Sequence, residues 1–169
     1  YAVATDIEAG TPVYFRIRDV KKDMDAIRAS ASLPLVSRNV RIGNHLYLDG
    51  GISDAIPIRK SILDGNSKNV VVLTKEEGFV RQPTTQLPLL KIRYFRYPKV
   101  AELMAERHIT YNNTMDYLYD QQKNGQAFVI RPAEKSNVGR IEKDEDKLKA
   151  LYKQGYADAE ALYEPLLNY

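Results

Sequence analysis

The sequence predicts an α/β fold, and three observations lead to this prediction. A run of β-branched residues, 69–74, has the composition of a strand buried on both faces, as strands of parallel sheets are. A helical pattern at residues 56–63 precedes it, and an apolar strand-like segment, 1–7, opens the chain. Because strand, helix and strand follow one another, we expect an α/β layer structure.

Two β-hairpins are expected in the first part of the chain. Gly10 and Pro12 form a turn between the opening strand and a second strand at residues 13–17. Gly43-Asn44 lies at the centre of another strand pair, residues 40–48. The turn residues therefore predict two antiparallel pairs.

Helices are predicted from apolar periodicity and from the residues that begin and end helices. Asp23 or Asp25 is the expected cap of the first helix, and Pro34 ends it. Pro57 suits the first turn of the second helix, where its missing amide proton costs nothing. A short strand, 127–130, separates the last two helices, and the polar, turn-like residues 83–88 precede them. The predicted helices are residues 25–30, 56–63, 98–122 and 144–167.

The composition excludes several classes of protein. The chain has 169 residues, of which 44% are hydrophobic and 28% charged, as in a globular protein. The net charge of +3 comes without a long basic run, so no nucleic-acid partner is expected. No apolar stretch approaches a membrane span, and the chain has no cysteine, which excludes disulfides and zinc–thiolate sites. We expect a cytoplasmic location.

Asp49-Gly50-Gly51 is the strongest candidate for a functional site. The tripeptide follows the apolar stretch 46–48, so it places a carboxylate at the end of a strand. Two glycines let backbone pass close to a substrate or nucleophile. A carboxylate in a partly desolvated site can act as the general base that activates a serine. Taken alone, however, Asp-Gly after a strand is most often only a turn.

Ser30 and Ser32 are candidate nucleophiles by residue type only. Neither lies in a Gly-x-Ser-x-Gly sequence, whose tight strand-to-helix turn exposes the hydroxyl, and no such sequence occurs in residues 1–169. A capping or packing role is the favoured interpretation of both. The small residues around them predict close approach by a neighbouring loop.

His45 and His108 are the two histidines of the chain, and on paper they allow a Ser-His-Asp triad. His45 follows the 43–44 turn, where a surface position is expected. His108 lies on the apolar side of the 98–122 helix, where a structural role is expected. Neither is assigned to catalysis. No His, Asp and Glu residues have metal-ligand spacing, so no metal and no cofactor are expected.

Residues 91–99 mix basic and aromatic side chains. Such a mixture suits a membrane surface, where charge and amphipathic rings both contribute to binding. An ordinary exposed connection is the favoured interpretation of this segment. Peripheral membrane contact is kept as the alternative.

The combination of motifs is more specific than any one of them. The order of four motifs in the first third of the chain resembles that of the patatin-like phospholipases. These motifs are Val3-Ala4-Thr5-Asp6, Gly10-x-Pro12-Val13-Tyr14-Phe15, Ala29-Ser30-x-Ser32-x-Pro34 and Asp49-Gly50-Gly51. Later motifs resemble one bacterial branch of that family. They are Tyr97-Pro98-Lys99, Arg107-His108, Tyr111-Asn112-x-Thr114, Val129-Ile130-Arg131-Pro132 and Gly139-Arg140-x-Glu142.

The resemblance implies a three-layer α/β/α hydrolase with a Ser-Asp dyad. It implies that Asp49 is the base of the dyad and that Gly50 and Gly51 complete its motif. The serine and the Gly-rich oxyanion loop have no counterpart in residues 1–169. We therefore expect the C-terminal part of a lipid acyl hydrolase, inactive by itself, with residues 1–90 as half of the α/β domain and residues 91–169 as a helical extension.

The expected partners are a lipid or other acyl ester as substrate and the upstream half of the same protein. The rival interpretation is a non-catalytic interaction or regulatory module, in which the Asp-Gly-Gly loop is only structural. A Gly-x-Ser-x-Gly segment encoded upstream of Tyr1 would favour the enzyme over the module.

Overall fold

The computed structural model describes residues 1–136, 138–139 and 142–169. Arg140 and Ile141, which belong to the motif Gly139-Arg140-x-Glu142, lie outside the described residues. The described chain is mixed α/β, which confirms the predicted class. The three-layer arrangement implied by the patatin-like resemblance stays a prediction.

Six strands and six helices are present in the described ranges. The strands are β1 (Ala2–Asp6), β2 (Thr11–Phe15), β3 (Val40–Ile42), β4 (His45–Asp49), β5 (Asn69–Val72) and β6 (Ala127–Ile130). The helices are α1 (Met24–Ser30), α2 (Ile58–Leu63), α3 (Leu87–Arg93), α4 (Pro98–Lys123), α5 (Glu145–Ala161) and α6 (Tyr163–Leu167). A 3₁₀ turn, Gly50–Ile52, follows β4 directly.

Contacts between residues divide the chain into two compact units. The first consists of residues 1–57 and 81–115, and the second of residues 58–80 and 116–169. Both units contain residues from either side of the predicted boundary at residue 90, and that boundary stays a prediction.

The first unit is built on a four-stranded antiparallel sheet in the order β2-β1-β4-β3. The pairs β1–β2 and β3–β4 are the two predicted hairpins, which are therefore confirmed. The central strands β1 and β4 align Ala4 with Asp49. The end of β4 consequently lies beside β1.

Helices pack against both faces of this sheet, because successive residues of a strand point to opposite sides. Tyr47 is buried in one cluster with Ala29 of α1, and the next residue, Leu48, is buried in another. The second cluster contains Leu90 of α3 and Val100 of α4. The carboxyl end of β4 is thereby held between two layers of apolar packing.

Helix α3 was missed by the sequence analysis, which assigned residues 83–88 to a turn. Pro88 lies in the first turn of α3, where a proline removes no helical hydrogen bond. Leu90 is buried, and so is Tyr94, which follows the helix. The predicted cap of α1 also needs correction. Asp23 precedes that helix, but its carboxylate accepts hydrogen bonds from the amides of Arg18 and Asp19.

The second unit contains the parallel pair β5–β6. Parallel pairing of the β-branched run is confirmed, but its burial on both faces was predicted wrongly, since Val70 and Val72 are exposed. These two residues lie on the same face of the strand, and the apolar packing of this unit does not reach that face.

Of the two long helices that the sequence predicts, one is confirmed and the other is corrected. Helix α4 is confirmed, and its apolar spacing buries Tyr111, Met115 and Leu118. The predicted helix 144–167 is instead two helices with a break at Leu162. Pro165 explains the break, because its ring in a continuous helix would clash with the carbonyl four residues earlier.

Candidate active site at the end of strand β4

The backbone of Asp49 is fixed on two sides. Its amide donates a hydrogen bond to the carbonyl of Ser32 at 2.9 Å. Its carbonyl accepts one from the hydroxyl of Thr5 at 2.8 Å. Thr5 is fully buried, and its hydroxyl also lies 2.8 Å from that of Ser53. Loop, strand and 3₁₀ turn therefore hold Asp49 in one position.

The carboxylate of Asp49 is oriented by the turn that follows it. Oδ1 accepts a hydrogen bond from the amide of Gly51 at 2.7 Å, which caps the 3₁₀ turn. The side chain is half-buried. The hydrogen bond to Oδ1 thus fixes the orientation of the carboxylate.

Gly50 allows the turn to pack directly on β1. A Cβ atom at this position would lie 2.2 Å from the carbonyl oxygen of Val3, closer than real Cβ atoms come to any backbone atom. The second residue of the tripeptide must therefore be glycine for the turn to reach this position. This is the close backbone approach that the sequence predicted in general terms.

Arg107, on α4, contacts the same turn from the opposite end of the tripeptide. Its Nε donates a hydrogen bond to the carbonyl oxygen of Gly51. A Cβ atom built on Gly51 would lie 3.0 Å from Oδ1 of Asp49 and 3.1 Å from a terminal guanidinium nitrogen of Arg107. Arg107 belongs to one of the sequence motifs, but its place in the site was not predicted. Nothing in the local pattern connects residues that are 56 positions apart.

All three residues of the tripeptide line a cavity of about 600 Å³. Ser30 and Asp54 also line it, and much of the remaining wall is apolar, including Val3, Ile17 and Ile27. Asp54 accepts a hydrogen bond from the hydroxyl of Tyr14 at 2.6 Å. The volume lies in the range of small-molecule sites, which combine apolar walls with a few polar groups.

The two candidate serines have different surroundings. Ser32 is buried, and its hydroxyl donates a hydrogen bond to the carbonyl of Arg28 at 2.7 Å, so its predicted packing role is confirmed. Ser30 is half-buried and lines the cavity that Asp49 lines. The structure therefore brings Ser30, but not the hydroxyl of Ser32, to the wall of the site.

The histidines lie elsewhere. Nδ1 of His45 pairs with Oδ2 of the buried Asp6 at 2.9 Å, and Oδ1 of Asp6 accepts hydrogen bonds from two amides of the following turn. The exposed position predicted for His45 is confirmed, although its ion pair was not foreseen. Burial, together with the nearby Asp6 carboxylate, raises the pKa of the Tyr47 hydroxyl.

His108 is partly buried, as its predicted structural role requires. Its Nδ1 is enclosed and has no hydrogen-bond partner in the part of the chain that the structure describes. His45 is thus paired with Asp6, whereas the contacts of Asp49 described above are with Ser32, Thr5 and Gly51.

Part of the chain is similar to a known family. Residues 10–61 match the family model described as Patatin-like phospholipase. The matched range contains the whole Asp49-Gly50-Gly51 turn, Ser30 and the Tyr14–Asp54 pair. The patatin-like match supports a hydrolase of a lipid-related family, in agreement with the resemblance drawn from the motifs.

Two further similarities were found. Residues 97–169 match a model described as a domain of unknown function, DUF6363. The uncharacterized protein YjjU of Escherichia coli (strain K12) is 44% identical over 52 residues, which cover 30% of this chain and 15% of that protein. The matched segment therefore corresponds to a small share of this relative's length.

Two kinds of feature are absent from the described ranges. No helix there is long and apolar enough to pass through a lipid bilayer. No group of three or more His, Asp or Glu side chains there is arranged to bind a metal ion.

Proposed function

We propose that Asp49 is the general base of a Ser-Asp dyad in a patatin-like lipid acyl hydrolase. The serine then belongs to a segment outside residues 1–169. The observation that carries this proposal is the geometry of the Asp49 carboxylate. It is fixed at a strand end, faces a cavity and has one oxygen bound to the Gly51 amide, in the range that matches the patatin-like phospholipases.

The reaction proceeds in two half-reactions. In the first, Asp49 accepts the serine proton while the serine oxygen attacks the ester carbonyl, and the departing alcohol takes that proton as the C–O bond breaks. In the second, Asp49 accepts a proton from water, which attacks the acyl-serine. The proton then returns to the serine oxygen as the fatty acid leaves. Backbone amides upstream of residues 1–169 stabilise the oxyanion in both steps.

The cavity supports an acyl ester as the class of substrate. Val3, Ile17 and Ile27 provide an apolar wall for the acyl chain, and the carboxylate lies in the same cavity. Binding an apolar group beside Asp49 also excludes water from the carboxylate, which strengthens its interaction with the serine proton.

Fluorophosphonate labelling tests the proposal. We expect the full-length protein to incorporate the probe at one serine, and peptide mapping to place that serine outside residues 1–169. The chain of residues 1–169 by itself is expected to remain unlabelled. If the probe labelled Ser30 instead, the nucleophile would lie within residues 1–169, and this part of the proposal would be wrong. A full-length protein without any label would favour the non-catalytic module.

Replacing Arg107 with Gln tests whether this side chain positions the carboxylate. We expect kcat for ester hydrolysis by the full-length protein to fall about 10- to 100-fold, because misplacing a catalytic group by about 1 Å has effects of this size. KM is expected to change little, since Arg107 contacts the turn rather than the substrate. The matched control is Arg41→Gln on β3, an exposed position. If the two variants had the same kcat, Arg107 would not position the Asp49 carboxylate.

A further inference from the structure

Helix α3 and the turn after it carry apolar side chains on two opposite sides. Leu90 and Tyr94 are each 1% exposed and pack in the core of the first unit. Leu89, Ile92 and Phe95 are 53%, 73% and 76% exposed. Leu89 and Ile92 lie three positions apart on one side of the helix, and Phe95 is exposed in the turn that follows it. These three exposed side chains are called the apolar stripe. One apolar side is enough for packing, and the second has no role in the core.

The exposed stripe lies in a strongly cationic part of the chain. Residues 78–101 contain no Asp or Glu, and their five cations are Arg81, Lys91, Arg93, Arg96 and Lys99. Lys91, Arg93 and Arg96 are exposed within or directly beside the stripe. None of these three forms an ion pair with a carboxylate of the described ranges.

Acidic side chains near this surface lie on the neighbouring helix α4. Glu102 and Glu106 line a groove of about 540 Å³ together with Lys91 and Phe95. Glu102 forms an ion pair with Lys99 at 2.9 Å. Leu89 and Ile92 do not line this groove. Phe95 and Lys91 therefore border the carboxylates of the groove, whereas Leu89 and Ile92 lie outside it beside the exposed cations Arg93 and Arg96.

We propose that this lipid-docking face, Leu89, Ile92 and Phe95 with Lys91, Arg93 and Arg96, binds the surface of an anionic lipid bilayer. The three apolar side chains enter the boundary between headgroups and acyl chains, and the three cations lie among the anionic headgroups. The seven residues of α3 span only about 10 Å, so the segment lies on the surface and does not cross the bilayer.

Charge distinguishes this partner from a second copy of the chain. A symmetric contact between two copies would bring the cations of one face against the same cations of the other. Like charges facing each other disfavour such a contact. An anionic lipid surface is complementary to both features of the face, the apolar stripe and its cations.

This inference is independent of ester hydrolysis. The face lies outside both matched ranges, residues 10–61 and 97–169. Its test measures binding alone, so a protein that binds vesicles without hydrolysing esters supports this face and contradicts only the proposed function.

The test is co-sedimentation of the full-length protein with vesicles. With about 30% phosphatidylglycerol in phosphatidylcholine, we expect at least tenfold tighter binding than with phosphatidylcholine alone, and weakening in about 0.5 M NaCl. The Ile92→Asp/Phe95→Asp variant is expected to lose at least tenfold in binding. Its control is Ile109→Asp, which replaces an apolar side chain of the same unit that is 52% exposed. That control should bind within about twofold of the wild type.

A second double variant separates the contribution of the cations to vesicle binding from that of the apolar side chains. Lys91→Gln/Arg96→Gln keeps the apolar stripe and is expected to weaken binding to the anionic vesicles about fivefold for each lost charge. Equal binding of the wild type to both vesicle types would overturn the proposal. So would unchanged binding of both double variants. A dimer that Ile92→Asp/Phe95→Asp converts to a monomer in light scattering, without vesicle binding by the wild type, would assign the face to a second copy instead.

Discussion

Substitution of Asn for Asp49 is expected to lower kcat for ester hydrolysis by the full-length protein about 10²- to 10⁴-fold. The amide oxygen of Asn can still accept the hydrogen bond of Gly51, so the capped 3₁₀ turn is preserved. The amide cannot take up the serine proton, and only the chemical step is lost. Hydrolysis of a p-nitrophenyl ester, followed at saturating substrate, measures the effect.

The control for this substitution is Asp25→Asn. Asp25 is an exposed carboxylate of α1 that pairs with Arg28 at 3.1 Å. Exposed pairs of this kind contribute little to stability, about 0.3–0.5 kcal/mol, so kcat and the melting temperature should remain close to those of the wild type. Full activity of the Asp49→Asn protein would exclude Asp49 as the base and leave the Asp-Gly-Gly turn with a structural role only.

Substitution of Ala for Gly50 is expected to destabilise the protein by about 2–3 kcal/mol or more. The new methyl group would overlap the carbonyl of Val3, and neither backbone segment can move without breaking the β1–β4 pairing. For a protein of this size the melting temperature should fall by about 5–10 °C. Circular dichroism during heating provides the measurement.

Gly43→Ala is the matched control for Gly50→Ala. Gly43 has φ +59° in the β3–β4 turn, and a Cβ atom there would meet nothing within 4 Å. Its substitution therefore introduces only the strain of a left-handed conformation, about 1–2 kcal/mol. If both variants melted at the same temperature, the close packing of Gly50 on β1 would not contribute to stability beyond conformational strain.

Elements whose signals are local were predictable from the sequence. The hairpins depend on Gly10, Pro12 and Gly43, and α4 depends on apolar side chains with helical spacing. Helix α3 was not predictable in this way, because Pro88 is typical both of a turn and of the first helical positions. Tertiary packing decides between the two, and Leu90 and Tyr94 provide it by entering the core.

The candidate site was predictable only in part. Asp49, Gly50 and Gly51 are adjacent, so their turn geometry follows from residue type and from the strand before them. The contacts of Arg107 with Gly51 and of Thr5 with Asp49 join residues 56 and 44 positions apart. Such pairs depend on how strands and helices pack, and a single sequence carries no periodic signal for them.

The region matched to a domain of unknown function begins inside the first unit, not after it. Val100 and Ala101 share one hydrophobic cluster with Leu48 of β4, and Arg107 holds the carbonyl of Gly51. A family boundary at residue 97 is therefore not a folding boundary. Ending the protein there would remove Val100 and Ala101 from the cluster that contains Leu48, and with Arg107 it would remove a hydrogen-bond donor to the carboxylate turn. Loss of hydrolysis after that deletion would report damage to the site, and it would reveal nothing about a separate role of the C-terminal region.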